Sequence, residues 1–430
     1  MMTIEEQVKL AEGAALRIAS ASTAAKNSAL TRVARNLDEN RDEIKRANAL
    51  DVEDAEKANF APALVKRLKL DNKKIDEMIE GVRSVIGLVD PIGKVLSATE
   101  LDESLTLYKV RTPIGLIGVI FESRPDALVQ ISSLCIKSGN AVVLKGGSEA
   151  KRSNRILFNL IKGAIEEDTI FKDSVQLVET RDDVRELLKL DSHIDLMIPR
   201  GSNSLVRYIQ ENTKIPVLGH SDGICHVYVD KDADLDMAVD IAVDSKCQYA
   251  AVCNAVETLL VHESVADEFL PRVKARYDAE GVELRGDERV RVVIGCDAAS
   301  DEDWGCEYND LTLSIRIVDS AGGAIDHINR YGSHHTDAIV TSDESTAECF
   351  MEGVDSSSVM WNCSTRFADG FRYGLGSEVG ISTGKIHSRG PVGLEGLTIY
   401  KYKLIGAGQV VADYADGRKQ FTHRQVAQAV

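Results

Sequence analysis

The sequence predicts an α/β protein of two or three domains, on three observations. From Thr112 onward, short apolar runs alternate with helical stretches, the pattern of a parallel sheet with helices on both faces. The chain has 430 residues, 44% of them hydrophobic, enough for more than one packed core. Before Leu88 helical periodicity dominates, so the amino-terminal part is expected to be a scaffold rather than a site.

The elements follow in order. Thr3-Ile-Glu-Glu6 is a capping box that opens the first helix. Alternating charge at Arg41, Asp42, Glu43, Lys45 and Arg46 marks solvated helix faces. Asp90-Pro-Ile-Gly93 breaks the helical pattern. Residues 104–110 mix Leu105, Leu107, Tyr108 and Val110 with polar side chains and are expected to form an exposed strand. Residues 114–121 form a buried strand, and 126–138 a helix stopped by Gly139-Asn140. A strand over 141–144 runs into a helix over 149–166. Residues 176–178, 194–198 and 224–229 are further strands, with helical segments such as 182–188 between them. The run 258–261 is a buried strand. A second layer follows: a helix over 263–277, strands over 290–294 and 311–318, a helix over 322–330, a strand at 338–340, a helix near 342–351 and a strand over 358–361. Beyond Phe367 glycines crowd the chain, at Gly370, Gly374, Gly376 and Gly380 among others, which suits backbone lying against a ligand or crossing between domains. Residues 397–404 alternate like a strand, and the polar tail from Asp413 is expected to fray.

Composition excludes several classes. The longest clean apolar run, 114–121, is far short of the roughly 20 residues a membrane helix needs. The opening Met-Met-Thr-Ile-Glu-Glu is acidic where a signal peptide is basic and then apolar. The net charge of −17 disfavours nucleic acid and anionic membranes as partners. Eight cysteines are scattered, at 135, 225, 247, 253, 296, 306, 349 and 363, without a C-x-x-C and without zinc spacing, so no metal is expected. His334-His335 is an isolated pair, read as a surface feature. Reduced thiols and a cytoplasmic location fit this pattern.

The stretch from Tyr249 to His262 is where chemistry is expected. Cys253 follows the small residues Ala250 and Ala251 and precedes a mostly apolar run, so its thiol stands at an entry to the core with room for a substrate. A thiol attacks only as thiolate, and a free cysteine titrates near ~8.5, so a nucleophile needs neighbours that favour the anion. A buried structural cysteine is the competing interpretation. Lys145-Gly-Gly-Ser-Glu149 joins a strand to a helix, a setting in which lysine and helix start can meet an anion; a solvated turn lysine is the alternative. Gly219-His-Ser-Asp-Gly223 matches G-x-S-x-G, but the following residues continue as a strand where a hydrolase needs a helix.

Taken together, four stretches resemble the aldehyde dehydrogenase superfamily, and within it the γ-glutamyl phosphate reductase branch. They are Arg111-Thr-Pro-Ile-Gly-Leu-Ile-Gly-Val-Ile-Phe-Glu-Ser-Arg-Pro-Asp126, Ser138-Gly-Asn-Ala-Val-Val-Leu-Lys-Gly-Gly-Ser-Glu-Ala150, Val252-Cys-Asn-Ala-Val-Glu-Thr-Leu-Leu-Val-His262 and Gly390-Pro-Val-Gly-Leu-Glu-Gly-Leu-Thr398. The resemblance implies an aldehyde dehydrogenase-like fold. A Rossmann-like NADP-binding domain would span 1–98 and 112–228, a catalytic domain 229–390, and an oligomerisation flap 99–111 and 391–410.

It also implies roles. Cys253 is the nucleophile that takes the acyl group of L-glutamyl 5-phosphate as a thioester, which NADPH reduces to L-glutamate 5-semialdehyde. Another carboxylic substrate of the same superfamily, or a non-catalytic homologue, is the alternative. Arg124 stands near where relatives place an oxyanion-binding asparagine, and would serve the oxyanion or the leaving phosphate. Lys145 and Ser148 would hold the adenosine ribose side, with Ser148 in the place of a glutamate that would repel a 2′-phosphate, and Lys151 and Arg152 close by. Glu307 would bind the nicotinamide-side ribose. Arg366 and Asp369 are the nearest pair for the substrate's carboxylate and ammonium. Val217 replaces the glutamate with which oxidising relatives activate water, which suits a thioester kept dry for reduction. A homo-oligomer is expected, and glutamate 5-kinase is a conceivable partner.

Overall fold

A computed structural model describes residues 2–220 and 222–426. It divides into two compact units. One holds the chain up to Leu218, Leu375–Gly380 and the segment from Val392; the other holds Gly219–Gly374 and Ile381–Pro391. The break expected after residue 228 falls after Leu218, so the loop leading to strand Cys225–Val229 belongs to the second unit.

In the first unit five helices, Ile4–Ile18, Thr23–Glu39, Arg41–Lys57, Pro62–Leu68 and Asn72–Gly87, precede any strand. The opening capping box forms as expected: Thr3 Oγ1 accepts the Glu6 N–H, and the Glu6 carboxylate accepts the Thr3 N–H at 2.7 Å. The apolar stripes of these helices supply Leu30, Val33, Leu37, Ile79 and Val82 to one core with Leu128 and Leu134 of helix Pro125–Ser138. Beneath lies a parallel sheet in the order Val175–Val178, Ala141–Lys145, Leu116–Phe121, Leu196–Arg200. The chain starts in Leu116–Phe121, adds two strands on one side and returns to the other, half of a doubly wound sheet. All six residues of Leu116–Phe121 are buried, which is why that strand reads as an unbroken apolar run. Helix Pro125–Ser138 stops at Gly139, whose φ of +73° is left-handed and suits a residue without a Cβ.

The same unit carries an antiparallel sheet of Val95–Asp102, Leu105–Pro113 and Thr398–Ile405. Thr398–Ile405 is an edge strand, exposed at every residue after Thr398. At the other edge Arg424–Gln425 pairs with Thr99–Glu100. The tail therefore does not fray there: the Glu100 carboxylate and the Thr99 hydroxyl hold Arg424 and Gln425.

The second unit is built on a parallel sheet in the order Asp297–Ala298, Glu283–Gly286, Thr312–Val318, Val256–His262, Cys225–Val229, Thr336–Val340, Ser358–Trp361. Helices Leu235–Cys247 and Glu263–Glu280 pack on one core of this sheet, and Ala321–Tyr331 and Glu344–Gly353 on the other. The strand expected over 290–294 is a helix, Glu288–Ile294. Asp287 caps it by accepting the Val290 N–H at 2.9 Å, and Val292 points to solvent, so the apolar run is one short amphipathic turn and not a buried strand.

Candidate active site

Three neighbouring strands of the second unit, Val256–His262, Cys225–Val229 and Thr336–Val340, present their amino ends side by side, and Cys253 stands there. It occupies a tight turn just ahead of Val256, closed by the Ala255 N–H donating to the Val252 carbonyl at 2.9 Å, and its side chain is partly exposed. Gly223 presses against this turn. A Cβ there would sit 2.3 Å from the Cys253 carbonyl oxygen and 2.5 Å from its Cα, so only glycine lets the two loops meet. Ser221 of the G-x-S-x-G match lies outside the described residues, and strand Cys225–Val229 follows with no intervening helix.

A second thiol lies beneath the first. Cys225 donates its S–H to the Cys253 carbonyl at 3.1 Å, and burial pushes that thiol well above the ordinary cysteine range. Of the two, Cys253 is the accessible one. His335 is not the surface residue expected from the sequence: it is fully buried, with Nδ1 2.9 Å from the Thr336 hydroxyl and no partner for Nε2 among the described residues. His220 Nδ1 lies 2.9 Å from the Ile381 carbonyl, and the two imidazoles meet edge to face at 4.8 Å. One ring nitrogen of each and the Cys253 sulfur lie within 4.8 Å of one another. Sequence reasoning missed this grouping. The available signal was positional: His335 and the His220 loop lead directly into strands that flank one another.

Arg366 also belongs here. Its side chain is buried, Nε donates to Gln248 Oε1 at 3.0 Å, and burial pulls the guanidinium below its ordinary range, with Cys253 among the groups in its electrostatic reach. Asp369 does not join it as an ion partner. Asp369 faces Arg372 at 3.8 Å and accepts the Phe371 and Arg372 N–H groups at 3.0 and 3.2 Å.

The unit that holds Cys253 also carries buried charge. Lys246 and Glu257 form an ion pair at 2.6 Å, both fully buried. Burial pushes the Glu257 carboxyl up to about 7, and the nearby Glu307 adds to the rise. The Asn309 N–H donates to Glu257 at 3.4 Å, and the Tyr308 hydroxyl meets Asp303 at 2.6 Å, so the chain is tied down at the two residues that follow Glu307. His226 and Asp337 make a second fully buried pair at 2.8 Å.

The other residues expected at a site gather in the first unit. A cavity of about 310 Å³ opens at the carboxyl ends of its parallel strands, lined by Ile120, Glu122, Lys145, Ser148, Val184 and Tyr208 among others. Carboxyl ends at the point where strand order reverses are where doubly wound sheets take nucleotides. Ile120 and Val184 offer an apolar wall, Lys145 and Ser148 a polar rim, and Gly146-Gly147 lets the backbone turn into helix Lys151–Ile165. Glu149 also lines the cavity, and its carboxylate accepts the Ser123 N–H at 2.6 Å and the Ser123 hydroxyl at 3.0 Å. That bond ties the loop of Arg124 to the Lys145 turn. Arg124 is exposed, and no ion pair of its side chain is found among the described residues. Near Ser148, Arg152 pairs with Asp51 and Asp54, and Lys151 and Arg155 with Glu179.

The sequence profile described as the aldehyde dehydrogenase family matches residues 2–294. The chain is 58% identical over 425 residues to gamma-glutamyl phosphate reductase of Pelotomaculum thermopropionicum, covering 99% of this chain and 98% of that protein. It is 56% identical to the enzyme of that name from Natronomonas pharaonis, covering 98% of each. Its fold matches the crystal structure of gamma-glutamyl phosphate reductase from Thermotoga maritima with a TM-score of 0.93 at 41% identity, over 95% of this chain and 99% of that one.

Proposed function

The chain belongs to the aldehyde dehydrogenase family, and from that premise we propose how its residues reduce L-glutamyl 5-phosphate to L-glutamate 5-semialdehyde with release of phosphate, the second step of proline biosynthesis. Cys253 attacks the γ-acyl phosphate as thiolate. Phosphate leaves and a thioester remains on the sulfur. A nicotinamide cofactor, when bound, supplies the hydride that turns this acyl group into the aldehyde. The tetrahedral oxyanion formed at each addition takes hydrogen bonds from the Cys253 backbone N–H and from Arg124. Its collapse breaks the carbon–sulfur bond and returns the thiolate. Arg366 holds the substrate carboxylate, a role its burial within reach of Cys253 supports. Val217 has no group to activate water, so nothing at that position hydrolyses the thioester before reduction.

The cofactor proposed is NADPH. The cavity at Lys145 and Ser148 fits the adenosine side, and the hydroxyl of Ser148, with Lys151 and Arg152 following it in the chain, accepts a 2′-phosphate that a carboxylate there would repel. Glu307 takes the nicotinamide-side ribose. A homo-oligomer follows from the exposed edge strand Thr398–Ile405, where Tyr400, Tyr402 and Leu404 leave an apolar, unpaired edge for a second copy to cover.

One observation carries the chemistry: an accessible Cys253 on a glycine-packed turn, above a thiol that burial keeps protonated and beside a buried cation. The test runs the reaction backwards, oxidising glutamate 5-semialdehyde with NADP and phosphate. Native protein is expected to require phosphate, and Cys253→Ala to lose at least about 10⁴-fold in turnover, the scale of removing a covalent nucleophile. Turnover surviving that substitution sinks the mechanism.

A further inference from the structure

We propose that His220, Cys253 and His335 form a three-ligand site for a thiophilic divalent cation, zinc foremost, that caps the nucleophile and switches the enzyme off. One ring nitrogen of each histidine and the Cys253 sulfur already lie within 4.8 Å of one another. A tetrahedral zinc ion with bonds of about 2.0–2.3 Å sets its ligand atoms roughly 3.5 Å apart, so the three must close by about 1 Å. His335 is buried and fixed, while Cys253 and His220 are only partly buried and are the ones that rotate.

The orientation of the rings is the second observation. Metal-binding histidines hold the ring nitrogen that does not face the metal with a carbonyl, carboxylate or other polar group, which fixes the tautomer. Here His220 Nδ1 is held by the Ile381 carbonyl and His335 Nδ1 by the Thr336 hydroxyl. Each ring is left with Nε2 as its ligand atom. That of His335 is fully buried and has no partner among the described residues, an unsatisfied polar atom in a place where such atoms are costly. The neighbouring carboxylates are engaged elsewhere, Asp337 with His226 and Glu257 with Lys246, so the set is one thiolate and two imidazoles. That chemistry selects zinc or its soft neighbours over magnesium and calcium.

Binding releases the Cys253 S–H proton to solvent and forms a metal–sulfur bond with no change of oxidation state. The sulfur lone pair is then committed, and attack on the acyl phosphate stops until a chelator removes the ion.

The experiment uses the full chain and zinc itself in a metal buffer. One ion per chain is expected, with turnover lost in step and restored by a chelator. Cobalt in place of zinc should give a thiolate charge-transfer absorption that Cys253→Ser abolishes, whatever reaction that thiol performs, so this result stands or falls apart from the proposed catalysis. His220→Ala is expected to weaken zinc inhibition by at least about tenfold, measured against that variant's own metal-free turnover. Equilibrium dialysis of the same variant reads the loss independently of turnover. A cobalt–thiolate band that survives Cys253→Ser, or zinc affinity unchanged in His220→Ala, overturns the proposal.

Discussion

The two parallel sheets use opposite ends. In the first unit the cavity lies at the carboxyl ends of Leu116–Phe121 and Ala141–Lys145, where turns lead into helices. In the second Cys253, the proposed nucleophile, stands at the amino ends of Cys225–Val229, Val256–His262 and Thr336–Val340. Their interiors differ too. Along the four parallel strands of the first unit, Gln176 is the one polar side chain buried among the described residues. The second sheet buries His226, Glu257, Thr258, Ser314 and Asp337. A binding end needs only backbone donors and helix starts, which lie at the rim and leave the core apolar. A reacting end needs charge held dry beneath it, and the fold tolerates that charge because each group is paired.

Breaking one of those pairs should have the largest effect. Glu257→Gln leaves Lys246 buried without its counter-charge and is expected to lower unfolding free energy by about 3–5 kcal/mol in urea denaturation. Replacing both, as Lys246→Met with Glu257→Leu, should recover most of that loss. If the single substitution is silent, the buried layer is not what distinguishes the second sheet. Next comes Arg124→Ala in the first unit. Turnover is expected to drop by roughly 10²–10³-fold, the range for losing one oxyanion donor, with stability unchanged within about 0.5 kcal/mol. An unaltered rate would confine the catalytic groups to the second unit. Smallest is Ser148→Glu, which puts a carboxylate where a 2′-phosphate is proposed to bind. The ratio of NADPH to NADH efficiency should fall about tenfold, worth roughly 1.4 kcal/mol, as measured by kcat/KM for each cofactor. No change in that ratio would remove Ser148 from cofactor selection.

Much of this was legible in the chain. The runs expected as strands at 114–121, 141–144 and 258–261 fall on Leu116–Phe121, Ala141–Lys145 and Val256–His262, because a strand buried on both faces is largely apolar and does not alternate. The capping box at Thr3, the stop at Gly139, the thiol of Cys253 and the lysine of Lys145 are local signals and were read locally. The misreadings were also local ambiguities. Residues 290–294 form too short an apolar run for periodicity to separate helix from strand, and the cap at Asp287 decided it. Residues 424–425 pair only because strand Val95–Asp102 offers them an edge from the far end of the chain.

By itself, then, the sequence determined the alternation of elements and the family, since these rest on neighbours along the chain. Only the tertiary structure decided that His220, Cys253 and His335 share one corner, that Gly223 must lack a side chain, and that Arg366 is buried within reach of the thiol while Asp369 turns to Arg372. A parallel sheet sets side by side the amino ends of strands whose connections are long. Residues at those ends become neighbours through hydrogen-bonded register, which spacing along the chain does not encode.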